Sequence, residues 1–592
     1  MNLKIKIFLL LLLFSQFLLA QTADDYVREW GTYFPDPRDS ALDENNNLWV
    51  VGGIHSNNYT VFSSLISANA HQENYNGEKE IYLAKISSDG SLMYATYFGG
   101  VKNDIPYGIE VKNNYVYIVG STKSTSNIAT ANGYDTVLDQ NYAPDGTEWQ
   151  KTAGFLAKFD TQGALVWSTY IQGDIFTEAI YSVAINDNDD IHLWGSTKST
   201  NLATENSFRQ TIPGPYLEET TNTYKSDSFP FMMKMNSSGQ IEWSTYYGPD
   251  DATVFPEGGI VVDNLDNVYV CGRTDDTVSY YGTTGIHQTQ SGGGTDTFFS
   301  KFSATGNRIW STYYGGNGSE VAPFIHIGRN GSFYITGLTT SANNIATNGV
   351  FQENLINPLA NYLAMFNNNG QRLWGSYFNI GSNGGGFATP CFVDTEGEIL
   401  LSGRTSSTTN TATEGSWQEN FGGGSTDAYV VKFNYDGSDV LWGTYFGGTG
   451  LEFPFHGGMQ LTTNDQFYIC GMTTSYNAEA IATENAIETN GSIGAGLYSG
   501  YLAKFVQSSD LSFLDLNSAQ IKIWPNPVSS VLIVEGLEGY NSFYIEIYDF
   551  QGKLILEKIN SNIVNVESLA TGEYFLRINS KTMQKNLPFI VR

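Results

Sequence analysis

Cysteine is nearly missing from this chain: three residues in 592, Cys271, Cys391 and Cys470. An odd number excludes a complete disulfide framework. Cys271 and Cys470 also hold the same place in two copies of a repeat, which keeps them apart. All three read as small buried strand residues rather than redox or metal-binding groups. Positive charge is also scarce. Thirty Lys and Arg stand against sixty Asp and Glu, a net charge of −30, which argues against nucleic acid or an anionic membrane as partner. The six histidines are scattered, with no HExxH spacing, and there is no GxSxG elbow, P-loop or CxxC. A paired-carboxylate glycosidase is left open, because its two acids can come from distant parts of the chain.

Long apolar runs are absent apart from one. The opening MNLKIKIFLLLLLFSQFLLAQ places two lysines before an apolar run over 7–19, with Ala20 as a small residue for cleavage. That pattern predicts a secretory signal over 1–20 rather than a membrane span, because the run is short and nothing apolar continues it. No cysteine follows the cleavage point, so no lipid anchor is expected, and no membrane insertion.

Glycine (62), tyrosine (37) and phenylalanine (35) are abundant and charged residues make up only 15%, a composition that favours many short strands joined by tight turns. The aromatics recur in a pattern. Trp-Gly/Ser-Thr-Tyr-Phe/Tyr, or a close variant, begins at Trp30, Tyr94, Trp167, Trp243, Trp310, Trp374 and Trp442, at intervals of 64 to 76 residues. Three other landmarks share the period. One is an apolar strand ending in Gly-x-Thr or a variant, at Gly53, Gly120, Gly195, Gly272, Gly337, Gly403 and Gly471. Another is a Lys-Phe strand at Lys85, Lys158, Lys234, Lys301, Phe366, Lys432 and Lys504. The last is a short strand before the Gly-x-Thr one, such as GIEV at Gly108 or SVAI at Ser182.

Period-two alternation marks all four as strands. Seven copies predict an all-β, seven-bladed β-propeller of four-stranded blades. The chain opens on a fourth strand and its last repeat stops at a third. The N-terminal strand is therefore expected to complete the last blade and remove a free edge. The tryptophans are expected to wedge between blades.

With YFGG, VYVxGxT and xxAKF in view, the repeats over roughly 28–506 resemble the bacterial β-propeller repeats called SBBP repeats. That resemblance implies the fold and no agreed activity. Beyond 506 the pattern stops, and alternating apolar stretches after IKIWPNPVSSVLIVEG predict a small antiparallel β-sandwich. Pro525, Asn526 and Pro527, then YDFQGK with Gly552, then LATGEYF with Gly572 and Tyr574, then the closing FIVR follow in order. Together they resemble the type A C-terminal sorting domain of proteins exported by the type IX secretion system of Bacteroidetes. The resemblance implies an address read by the secretion machinery, and a secreted or surface-attached product. Expected domains are a signal peptide over 1–20, a propeller over 24–506, a linker over 507–519 and the sorting sandwich over 520–592.

Five repeats place an acid just before the first strand: Asp36, Asp104, Glu178, Glu320 and Glu452. With equal registers these carboxylates face the channel mouth, where they could hold Ca²⁺ or a cationic or polyhydroxyl ligand. The structural alternative is that each accepts backbone N–H bonds and fixes the crossing between blades. The loops between second and third strands are long and varied, and an ATxxxxxQ-like refrain (345–352, 411–418) recurs in them, read as loop packing. The function expected is a monomeric binding or adhesion module for an unknown glycan or protein, with its ligand on the long-loop face and no cofactor required. The alternative is an extracellular carbohydrate-active hydrolase or lyase with acids at the channel mouth. A single deep pocket with two convergent acids would favour the enzyme.

Overall fold

A computed structural model describes residues 26–592, apart from 56–61, 139–151, 175–177, 213–216, 219–222, 225–228, 251–252, 276–278, 329–330, 379–390, 477–478, 492–498, 508–521, 536, 538–542, 550–552, 560 and 581–583. The chain divides into two compact units, with the boundary after Phe505.

The first unit is built of four-stranded antiparallel sheets. The first contains Pro37–Leu42, Leu48–His55, Lys79–Ile86 and Leu92–Phe98, hydrogen-bonded in chain order. Five more sheets of the same order follow, ending with Val440–Phe446. In the fourth, the first strand is split into Val254–Phe255 and Ile260–Val262. The seventh departs from chain order: Glu452–Leu461, Phe467–Thr473 and Ser499–Gln507 are completed by Tyr26–Phe34 from the other end of the chain. Inside these strands the second and third are buried on both faces, so they read as apolar runs such as VYIVG and FLAKF.

Each repeated landmark has a contact that explains it. The aromatic opening each fourth strand packs on the glycine that ends the third-to-fourth turn of the next sheet. Trp30 meets Gly90, Tyr94 meets Gly163, Trp167 meets Gly239, Trp243 meets Gly306, Trp310 meets Gly370 and Trp374 meets Gly437. All six glycines have positive φ, from +69° to +92°. A Cβ at Gly437 would lie 2.6 Å from the Trp374 ring. Only glycine serves both the turn and the ring. Trp442 instead meets the ring of Tyr26, 5.2 Å away between centroids. The lysine of the third strand reaches back to an acid beside the first turn or on the fourth strand. Lys85 pairs with Asp43 at 2.9 Å, Lys432 with Asp394 at 3.0 Å and Lys504 with Glu29 at 2.8 Å.

The long second-to-third loops run along the fourth strand of their own sheet. In the first sheet Ser67 N–H donates to Ala95 O, Gln72 N–H to Thr96 Oγ1, and Tyr97 N–H to Gln72 O. The same pins recur at Thr283 and Gln288, and at Thr413 and Gln418. They also recur at Thr483 and Glu488, which hold Gly31, Thr32 and Tyr33 of the N-terminal strand. The refrain thus satisfies the otherwise open edge of each outer strand. The three cysteines are buried, and no disulfide forms among the described residues.

The second unit has two sheets. Lys522–Trp524, Val531–Glu535 and Ile563–Asn565 form one; Leu554–Ile559, Phe543–Asp549, Gly572–Ser580 and Gln584–Val591 form the other. They share a core that includes Leu532, Val534, Ile545, Val564, Leu576 and Phe589.

Candidate functional site

The five acids singled out in the sequence lie in the junctions between consecutive sheets. Asp104, Glu178, Glu320 and Glu452 are fully buried. Each is held by two hydroxyls from a Thr-x-Ser that ends the second strand of its own sheet. Thr197 Oγ1 donates to Glu178 Oε1 at 2.8 Å, and Ser199 Oγ donates to the same oxygen. Thr473 and Ser475 donate to Glu452 Oε1, each at 2.6 Å. Backbone amides of the preceding Gly-Gly add a third donor, Gly100 N–H to Asp104 Oδ2 and Gly448 N–H to Glu452 Oε2. Asp36 takes Arg38 at 2.9 Å instead. Burial raises the pKa of all five, to about 6 for Asp104 and about 7 for Glu178 and Glu320.

None of the five lines the central cavity. For Asp104, Glu178, Glu320 and Glu452 the hydroxyls of Gly-x-Thr-x-Ser hold the side chain in the junction, whereas Asp36 is held by Arg38. That partner motif was visible in the sequence. Among the described residues, no three His, Cys, Asp or Glu side chains are grouped to hold a metal ion.

The cavity itself, about 860 Å³, is walled by segments 38–42, 105–111, 181–183, 257–261, 322, 324–326, 392, 453–455 and 460–461. These are the first strands of all seven sheets or the segments leading into them. Equivalent first-strand positions, those paired with the residue three before the second-strand glycine (Gly52, not Gly53, in the first sheet), carry Ala41, Glu110, Ala184, Val261, His326, Phe392 and Gln460. Elsewhere the sheets repeat one another. Here most neighbours differ in chemistry, although Ala184 and Val261 are both aliphatic.

Two carboxylates stand out in the wall. Asp39 accepts the N–H of Ser40 at 2.8 Å and of Ile109 at 2.9 Å, bridging the first strands of the first two sheets. Glu110, on the second of these strands, is raised to about 7 by burial and then by the charge of Asp39; burial likewise raises Asp39 to about 7. Around the wall are aromatic faces. Tyr107 and Tyr181 lie 5.3 Å apart, Phe453 and Phe455 5.4 Å, and His326 sits 4.9 Å from Phe392. Burial lowers His326 to about 4, so it is neutral at pH 7. Arg38 lies over Phe455 and Arg273 holds Glu257, so neither cation neutralises the Asp39–Glu110 pair. Sequence reasoning passed over Asp39 and Glu110 because neither recurs.

In the second unit the sorting-motif residues gather on the closing strand. Asn526 Oδ1 accepts Ile590 N–H at 2.9 Å, Gly572 pairs with Val591, and the Tyr574 ring stacks on Phe589. Pro525 and Pro527 flank Asn526, and Gly552 lies outside the described residues.

The family model described as Secretion system C-terminal sorting domain matches residues 522–592, and that of the Beta-propeller repeat (SBBP) matches 242–277. The chain carries a propeller repeat and an export tail. The sorting tail marks it as secreted or attached to the cell surface, and implies contact with the type IX secretion machinery. No helix among the described residues is long and apolar enough to cross a membrane. Comparison with curated protein sequences gives no match. Among solved structures the propeller-bearing chain is similar to a protein of unknown function from Dyadobacter fermentans, at 9% identity and a TM-score of 0.33, covering 81% of this chain and 98% of that one. It is similar to a PL25 ulvan lyase at 10% identity and TM-score 0.40, covering 75% and 92%. It is also similar to a DUF4221 member from Bacteroides vulgatus at 11% and 0.29, covering 64% and 93%. Likeness this coarse transfers no activity.

Proposed function

We propose that the first unit is a closed seven-bladed propeller, that residues 520–592 form a β-sandwich removed or retained as an export address, and that the mature module binds a saccharide in its central cavity. The observation that carries the ligand reading is the non-repeating wall. A scaffold that repeats in its rim but varies along its wall has one asymmetric site rather than seven equivalent ones. Aromatic faces stack on the apolar faces of sugar rings, while carboxylates and amides take hydroxyls. The wall offers both. The long loops are engaged along the outer strands, so the cavity rather than the loop face is the better binding surface. Support for the ring comes from the succession of aromatic-on-glycine contacts and from the fourth-strand role of Tyr26–Phe34.

One observation favours a second reading, a hydrolase or lyase. Asp39 and Glu110 stand on neighbouring strands with pKa values near neutrality, the condition in which one carboxyl keeps its proton while the other is a base. A polysaccharide array with the full chain, read both for retention and for released product, separates the two. Retention lost in Asp39→Asn and Glu110→Gln, without product release by the parent, supports the binding module. Product release that disappears in either variant establishes the enzyme. Retention unchanged in both variants removes the cavity as the site.

A further inference from the structure

Three of the junction acids, Asp104, Glu320 and Glu452, face a second buried acid, and in two of these pairs an oxygen between the partners has no donor among the described residues. Asp296 and Asp427 begin the third strands of the fourth and sixth sheets, at equivalent register opposite Thr274 and Thr405. Each meets the acid that begins the next sheet, Glu320 and Glu452 respectively. All four are fully buried. Glycine makes the meeting close. A Cβ on Gly447 would lie 2.6 Å from both Asp427 Oδ1 and Glu452 Oε2, and one on Gly315 would overlap both Asp296 Oδ1 and Glu320 Oε2.

The remaining oxygens are well supplied. Asp296 Oδ2 accepts Ser291 Oγ–H and Gly292 N–H, and Asp427 Oδ2 accepts Gly422 N–H at 2.6 Å. Glu320 Oε1 accepts Thr339 and Ser341 hydroxyls at 2.5 and 2.6 Å. Asp296 Oδ1 and Asp427 Oδ1 are different: they are buried acceptors to which no group among the described residues donates. Each points at the neighbouring glutamate. No ion pair among the described residues reaches any of the four. The titratable groups that face them are tyrosines: Tyr314, Tyr362 and Tyr377 around Glu320, Tyr445 beside Asp427 and Tyr501 beside Glu452. Two ionised carboxylates in contact, without a cation and out of water, repel strongly.

We propose that each pair, Asp296–Glu320 and Asp427–Glu452, shares a single proton, and that these two carboxyl–carboxylate hydrogen bonds are clasps between sheets that weaken as the medium turns alkaline. The proton gives the orphaned Asp oxygen its donor and removes one of two facing charges. The same position differs elsewhere. Ala153 stands where Asp296 would, so Glu178 has no facing acid and its Oε2 is left without a donor among the described residues, while Glu80 and Asp104 face one another with every oxygen already hydrogen-bonded.

Burial raises all four acids. Glu320 and Asp427 rise to about 7, each raised further by its partner's charge. A carboxyl whose folded pKa lies above its unfolded one contributes stability in full below the unfolded value, near 4. It loses that contribution as pH rises through 7.

Thermal melting of the full chain between pH 5.5 and 8.5 tests this. The parent is expected to lose about 5 °C or more across that range, and Asp296→Asn/Asp427→Asn, whose amides replace the shared proton as donor, is expected to lose about half as much. Glu44→Gln, an exposed acid, keeps the parent slope. Should the double variant fail to fold, infrared difference spectra of the parent and of each single variant, Asp296→Asn or Asp427→Asn, between pH 6 and 8.5 carry the test, because part of the protonated carboxyl band that the parent loses over that interval must be missing in each variant. A double variant with the parent's pH slope, no such band, or a band undiminished in the single variants overturns the proposal. So does Ca²⁺ that stabilises the parent at pH 8 and not the double variant, since the pairs would then hold a cation.

Discussion

The rim and the axis of the first unit follow opposite rules. At the rim the same contact is made again and again: aromatic on glycine, lysine on acid, loop threonine on outer strand. Along the axis the equivalent position is alanine, glutamate, valine, histidine, phenylalanine or glutamine as the sheets succeed one another. Repetition marks what every sheet needs in order to stack on the next. Variation marks where a single asymmetric object is met. A long repeat array is therefore best searched for function at positions where it stops resembling itself.

The contrast can be broken at its strongest point by deleting residues 24–34. That removes the buried Tyr26, Trp30, Tyr33 and Phe34 and bares the edge of Ser499–Gln507. At roughly 1.5–3 kcal/mol per buried aromatic, the loss is on the order of 6–12 kcal/mol, read as a lowered and broadened melting transition with aggregation. Next in size is Gly437→Ala. Left-handed strain combines with a clash into Trp374, so about 2–4 kcal/mol should be lost by chemical denaturation.

At the axis the expectation reverses. Glu110→Gln should leave stability at pH 6 within about 0.5 kcal/mol and raise it at pH 8, because the charge facing Asp39 is removed. Saccharide retention should fall at least about tenfold. A Glu110→Gln protein as unstable as Gly437→Ala would erase the distinction between rim and axis. The smallest effect is expected for Thr444→Val, which removes the hydroxyl that receives Gln418 N–H and donates to Tyr445 O. About 1 kcal/mol should be lost, with faster amide exchange confined to the loop around Gln418.

Much of the rim was legible in the sequence because its causes are local and recur. Alternation gives strands, Asn/Asp/Gly turns join them, and a Trp or Tyr recurring at a fixed place implies a common packing partner. The Thr-x-Ser hydroxyls that hold Asp104, Glu178, Glu320 and Glu452 are as regular as the acids. Recognising them would have placed those carboxylates in the junctions. Two things are not periodic and so were not legible. Asp39 and Glu110 come together only because two first strands lie side by side. Asp296 and Asp427 find their glutamates across a sheet junction, through glycines whose missing side chains make the room. The loops looked free because their length varies, whereas their two pinning points do not.

The pairing of Tyr26–Phe34 with Ser499–Gln507 also sets an order of events. The earliest strand to emerge has no partner until the last repeat has been delivered, some 470 residues later by the numbering of those strands. Until then each arriving sheet can form, yet the seventh remains one strand short. A chain marked for export thereby carries its own delay, held in the sequence distance between these two strands.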